Sequence, residues 1–159
     1  MGCGKSTVGA ALADKLGWNF TDLDEEIERM EGVSISEIFE AMGETEFRRI
    51  ESDVLKINVK AVTRGKANVV ALGGGTFQKQ ENIDLVTNHG VPIWLDCPLE
   101  MVERRIAGQT HRPLARDPEK FRALYEARRA LYSQAEYRVE VSSDDPQSTV
   151  DQILALKLL

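Results

Sequence analysis

The stretch that most restricts what this chain can fold into stands at its beginning. Gly2-Cys3-Gly4-Lys5-Ser6-Thr7 matches the second half of a phosphate-binding loop, G-x-x-x-x-G-K-[ST], with Gly4-Lys5-Ser6 in its closing positions. Such a loop turns backbone N–H groups inward around phosphate oxygens and aims the positive end of the following helix at the same anion. In that role Lys5 reaches the β- and γ-phosphates of a nucleotide, and the Ser6 hydroxyl sits on Mg²⁺. A helix is expected next, because Val8, Ala11, Leu12 and Leu16 repeat at helical spacing before Gly17 stops them.

The rest of the chain alternates short apolar runs with helical patterns. Residues 18–21 read as a strand ending at Asp22-Leu23-Asp24. A helix over 25–31 is expected behind an Asp24 cap, with Gly32 as its stop. Ser34 and Glu37 have the spacing of a capping box. A longer helix is predicted over about 44–62, with Phe47, Ile50, Val54, Ile57 and Ala61 as its apolar stripe. Residues 69–72 read as a buried strand running into Gly73-Gly74-Gly75. A weak helix follows at 82–87, and then a strand at 91–95. Pro98 is placed at the first position of a helix continuing through Arg105. Residues 107–117 read as a mobile loop. A helix over 118–134, a strand over 138–141 and a helix over 148–159 complete the chain. Strands alternating with helices mean βαβ units, hence an α/β fold with a parallel sheet and helices on both faces. Ligands of such folds bind beyond the C-terminal strand ends, where Asp22-Leu23-Asp24 and the triple glycine fall.

A length of 159 residues fits one domain, 1–159, and a net charge of −6 argues against a broad surface for nucleic acid or anionic membrane. The arginines are nevertheless uneven, with eight of 12 between Arg104 and Arg138. A guanidinium cluster in an acidic chain suits local handling of phosphate or carboxylate. Two cysteines make no disulfide framework, and no secretory or membrane-spanning pattern is present, so a cytoplasmic setting is the expectation.

Taken together, the phosphate loop, Asp22-Leu23-Asp24, Phe47-Arg48-Arg49-Ile50-Glu51, Gly73-Gly74-Gly75, Arg112-Pro113-Leu114 and Arg128-Arg129 before Leu131-Tyr132 resemble the shikimate kinase family, in this order and across essentially the whole chain. The resemblance implies a three-layer α/β/α phosphate-loop kinase that moves the γ-phosphoryl group of ATP to the 3-hydroxyl of shikimate, in the biosynthesis of chorismate and the aromatic amino acids. It implies substrate-binding helices at about 24–62, a lid at about 107–117 and a monomer whose partners are ATP and shikimate, with no nucleic acid or membrane.

Residue roles follow from the same resemblance. Gly2, Cys3, Gly4, Lys5, Ser6, Thr7 and Arg112 hold ATP. Asp24, Arg48, Gly73, Gly74, Gly75 and Arg129 hold shikimate, with Arg48 and Arg129 on the carboxylate and Asp24 on the ring hydroxyls. Lys5, Asp24 and Arg112 act on the transferring group, while Ser6 and Asp22 hold Mg²⁺, Asp22 through water. Arg105 is a further candidate for the phosphate side.

Plainer roles stay open beside these. Asp24 could serve only as a helix cap, Arg48 could form a surface ion pair with Glu44 or Glu51, and the glycines could make an ordinary turn. Arg128 and Arg129 cannot both face one site from a helix, so one of them is structural. The loop at 142–147 has no arginine for an adenine pocket. The first strand and first loop glycine of the family pattern would lie before Met1, so a longer natural chain is expected. Other readings keep the fold and change the acceptor to gluconate or a nucleoside monophosphate, or make the chain a non-catalytic binding or regulatory protein.

Overall fold

A computed structural model describes residues 2–107 and 117–158. The chain divides into two units, Met1–Val8 with Val91–Leu159, and Gly9–Gly90. Helix α1, Lys5–Leu16, starts in the first and continues in the second, and Gly17 ends it at a left-handed φ of 65°.

The Gly9–Gly90 unit holds β1 (Asn19–Asp22), α2 (Leu23–Glu31), α3 (Ile35–Thr63), β2 (Asn68–Ala71), a single 3₁₀ turn (Thr76–Gln78) and α4 (Gln80–His89). β1 and β2 pair in parallel, with Asn19 opposite Asn68 and Asp22 opposite Ala71. Both strands therefore end at the same edge, one running into Asp22 and the other into the glycine turn. Leu23, Ile27, Ile38, Phe47, Ile50, Val54 and Leu55 form the buried core. Each fully buried aliphatic side chain contributes about 1.5–3 kcal/mol, so this cluster holds α2 and α3 together.

Local chemistry sets the helix ends. Asp22, rather than the expected Asp24, caps α2, its Oδ1 accepting from the N–H groups of Asp24 at 3.0 Å and Glu25 at 3.4 Å. The helix begins two residues earlier than the sequence pattern placed it, and this releases Asp24 from the capping role. Gly32 closes α2 in the left-handed region at φ 72°. Ser34 and Glu37 form the expected capping box. α3 starts there, and Gly43 (φ 80°, ψ 174°) breaks it into two segments, the second starting where the long helix was expected. Ile57 is 49% exposed, and Leu55 and Asn58 are buried on the inward face instead.

The other unit holds β3 (Ile93–Asp96), α5 (Leu99–Ala107), α6 (Pro118–Tyr132), β4 (Tyr137–Glu140) and α7 (Pro146–Ala155). β3 and β4 are parallel, from Ile93 opposite Tyr137 to Asp96 opposite Glu140. Pro98 stands just before α5, and its carbonyl accepts from the Met101 and Val102 N–H groups. Cys3, Cys97, Val102, Ile106, Phe121 and Val141 make this unit's core. The α/β class and parallel pairing match the expectation, with the four described strands forming two two-stranded sheets. No helix among the described residues is long and apolar enough to cross a membrane.

Candidate functional site

Within the Gly9–Gly90 unit, a network of buried polar groups surrounds the end of β2. Glu51 on α3 is 1% exposed. Its Oε1 accepts from Thr76 Oγ1 at 2.8 Å, and its Oε2 accepts from Arg48 Nη1 at 2.9 Å. The Arg48 guanidinium also lies 5.1 Å from the centroid of the Phe47 ring and reaches Glu44 at 3.5 Å. Its Nε is buried and makes no hydrogen bond. The expected alternative of an ion pair with Glu44 or Glu51 is therefore present, but it is not a surface pair, because the Arg48 side chain is only 13% exposed. A buried cation beside a single buried carboxylate, with a donor left over, is suited to receive a second anion.

The glycines fit this arrangement sterically. A Cβ at Gly75 would fall on the Arg48 guanidinium. A Cβ at Gly73 would lie 2.7 Å from Glu51 Oε1, 2.8 Å from Asp24 Oδ1 and 3.2 Å from Thr76 Oγ1. Gly73 thus marks the place where Asp24, Glu51 and Thr76 meet, and only a residue without a side chain permits that approach. Gly74 lies between them in the turn. Two further anchors hold the turn. Asn82 Nδ2 donates to the Thr76 carbonyl at 3.0 Å, and Lys79 Nζ donates to the Arg48 carbonyl at 3.1 Å and to Ser52 Oγ at 3.4 Å. Sequence patterning did not single out Glu51 as a site residue, nor Thr76, Lys79 or Asn82, because their roles depend on contacts between α3 and the glycine turn.

The other unit carries the phosphate loop. Gly2 and Gly4 have left-handed φ values of 59° and 84° on either side of Cys3. Glycine at these positions permits a turn in which successive N–H groups face one side. Lys5, Ser6 and Thr7 form the first turn of α1, where the N–H groups lack intrahelical acceptors. Arg105 braces the loop, its Nη1 donating to the Gly2 carbonyl at 3.2 Å while Nε and Nη2 bond Asp144 at 3.0 and 2.9 Å. Hydrogen bonds from Arg105, together with Arg104, hold the Asp144 carboxyl below its ordinary pKa. Asp144 thus ties the arginine-free loop at 142–147 back to α5.

The paired arginines of α6 divide their work. Arg129 makes a two-pronged contact with Asp96, at 2.6 and 3.2 Å, and Nη1 also donates to the Tyr125 hydroxyl at 2.9 Å. Arg138 bonds the same Asp96 carboxylate at 2.8 Å, and the two guanidinium groups each stand 5.2 Å from the centroid of Trp94. Asp96 is 5% exposed, so Arg129 neutralises a buried carboxylate. Arg128, which was not chosen from the sequence, has a buried Nε without a hydrogen-bond partner and lines a cavity with Cys3, Trp94, Leu95 and Cys97. Helical spacing alone establishes that one of the two is structural but not which one. Arg112, with the remainder of 108–116, lies outside the described residues.

Comparison with known proteins adds an independent line. The family model described as shikimate kinase matches residues 1–157. The chain is 41% identical to the shikimate kinase of Persephonella marina over 155 residues, covering 97% of this chain and 92% of that protein. It is 42% identical to the shikimate kinase of Nostoc punctiforme, covering 97% and 84% of the two chains. Among solved structures, shikimate kinase from Acinetobacter baumannii in complex with shikimate matches with a TM-score of 0.89 at 36% identity, covering 99% of this chain and 88% of that one.

Proposed function

The chain belongs to the shikimate kinase family, and from that premise we propose that it catalyses ATP-dependent phosphorylation of the shikimate 3-hydroxyl, giving shikimate 3-phosphate and ADP, in aromatic amino acid biosynthesis. The observation that carries the reading is the buried Arg48–Glu51–Thr76 network beside Asp24, closed over by Gly73 and Gly75. It presents a cation for one carboxylate and a carboxylate for neighbouring hydroxyls, with no room for a larger side chain.

On the acceptor side, the Arg48 guanidinium holds the shikimate carboxylate through the donors that Glu51 does not take. Asp24 accepts from the ring hydroxyls and orients the attacking oxygen, withdrawing its proton as the bond to phosphorus forms. Backbone N–H groups of Gly74 and Gly75 complete the cradle. By the family resemblance alone, the α6 arginine pair is also assigned to the carboxylate. The occupation of Arg129 by Asp96 makes Arg128 the better fit for that role, with Arg129 holding the strand end in place.

On the donor side, the N–H groups of Gly2 to Thr7 and the Lys5 ammonium bind the phosphates, and the resemblance assigns Arg112 to the charge of the transferring group. Magnesium is supported by donor chemistry. Ser6 offers a hydroxyl at the start of α1, and Asp22 offers a carboxylate at the strand end. Among the described residues no group of three His, Cys, Asp or Glu side chains could hold a metal. A magnesium ion that takes most of its oxygens from phosphate and water needs no such group. When bound, the ion neutralises charge on the β- and γ-phosphates. A monomer in the cytoplasm is the proposed working form.

The test is a coupled assay of ADP release with MgATP and, in turn, shikimate, gluconate and a nucleoside monophosphate as acceptor. Turnover with shikimate alone is the expected result. Preference for another acceptor overturns the substrate reading, and binding without turnover supports a regulatory protein instead.

A further inference from the structure

The side chains of Cys3 and Cys97 have no task in this phosphoryl transfer. They are the only two cysteines of the chain, and both are free and buried. They share one apolar cluster and line one cavity. A single nitrogen, Arg105 Nη1, contacts both the Gly2 carbonyl at 3.2 Å and Cys97 Sγ at 3.8 Å. Cys97 is therefore beside the peptide that leads into Cys3.

We propose that Cys3 and Cys97 are a peroxide-modified pair, in which Cys3 is oxidised first, Cys97 closes an intramolecular disulfide, and the closed form binds nucleotide more weakly. Only the last clause rests on the loop being the ATP site. In the first step the Cys3 thiolate sulfur attacks one oxygen of hydrogen peroxide. The O–O bond breaks, one oxygen remains as S–OH, and the other leaves as hydroxide and is protonated to water. In the second step the Cys97 sulfur attacks the Cys3 sulfur. The S–OH bond breaks, and the departing hydroxide takes the Cys97 proton. Two thiols give two electrons to one peroxide, forming one disulfide and two waters.

The two sulfurs differ in the direction these roles require. Burial works to raise the Cys3 pKa, but the Lys5 charge and hydrogen bonds from the Lys5 and Cys3 N–H groups pull it down, and the net direction is below the ordinary thiol value. Burial pushes Cys97 up, against the pull of Arg105. Cys3 is thus the nucleophile toward peroxide and Cys97 the resolving thiol. With both side chains buried, a two-oxygen oxidant fits where a bulky peptide disulfide does not. Drawing Cys3 toward Cys97 deforms the turn between Gly2 and Gly4, whose N–H directions the phosphates need.

The test treats the full chain with hydrogen peroxide and maps its peptides by mass. The expected product is a Cys3–Cys97 cross-link two hydrogens lighter than the pair of thiols, suppressed by MgATP and reversed by dithiothreitol. ATP affinity of the cross-linked protein should fall by at least about tenfold, since misplacements of an ångström in such sites commonly cost that much or more. In Cys97→Ser the reaction should stop at a Cys3 sulfenic acid, captured by a 1,3-dione. If that variant fails to fold, the wild-type map decides alone. Cys97 oxidised with Cys3 still a thiol, disulfides formed only between molecules, or unchanged ATP affinity after cross-linking would each overturn the proposal. The cross-link is read by mass, so its absence leaves the kinase reading of the reduced protein intact. An inactive reduced protein that still cross-links counts against the kinase reading alone.

Discussion

Arg48 has one donor spent on a buried carboxylate, one stretched to 3.5 Å toward Glu44, and a buried Nε with no partner. A cation so placed gains from a substrate carboxylate much more than a solvated surface arginine does. Arg48→Ala is expected to raise the shikimate KM steeply, corresponding to about 2–5 kcal/mol, and to leave the ATP KM near normal. Equal loss for both substrates would make Arg48 structural. For the α6 pair the expectation divides. Arg128→Ala should weaken shikimate binding, whereas Arg129→Ala should lower the melting temperature, because it strips a partner from buried Asp96. The reverse pattern would return Arg129 to the substrate. Arg112→Ala should cut kcat by about 10³-fold or more with a smaller change in shikimate binding, if it stabilises the transferring group. Cys3 gives a pH test. Because its thiol is held low and that of Cys97 is pushed up, alkylation of Cys3 should switch on at the lower pH, inactivate the enzyme and be blocked by MgATP. Modification of Cys97 first would contradict this.

At the scale of elements, the glycine turn depends on α3, and α3 depends on its own caps. Gly75→Ala would meet the guanidinium tip of a flexible side chain rather than backbone. The variant should therefore show a raised shikimate KM as Arg48 is displaced, with a modest drop in melting temperature because buried Glu51 loses its cation but keeps Thr76. A large drop in melting temperature with an unchanged KM would contradict that account. These elements also show what could be read from the sequence and what could not. The capping box, Gly17, Gly32 and the Pro118 start of α6 follow from local rules, and the structure has them, whereas α7 runs Pro146–Ala155 rather than over the expected 148–159. Asp22 rather than Asp24 at the α2 cap escaped those rules, because both are good caps and the choice depends on where β1 stops. Ile57 fits the helical period but is exposed, while Glu51 breaks the apolar pattern but is buried. Periodicity does not register a carboxylate whose partners, Arg48 and Thr76, satisfy it from different elements.

For the molecule as a whole, alternation of strand and helix was enough to give the α/β class and parallel pairing. Observed strands begin and end one or two residues away from the apolar runs, since β1 takes in Asp22 and β3 takes in Asp96 at their C-terminal ends. Those two aspartates illustrate why ligand chemistry gathers at strand ends. Asp22 caps a helix beside the glycine turn's strand, and Asp96 anchors two arginines. The phosphate loop and the triple glycine were legible because each is a contiguous motif. The buried network that makes an acceptor pocket from the glycine turn was not, because it joins residues 24, 48, 51 and 73–76 from three places in the chain. The most direct measurement is the steady-state rate of ADP release with MgATP and shikimate, compared between the wild-type chain and Arg48→Ala, with shikimate 3-phosphate identified as the product. The account predicts one shikimate 3-phosphate per ADP and a variant impaired chiefly in shikimate KM. ADP release that is independent of shikimate, or a variant with an unaltered shikimate KM, would contradict it.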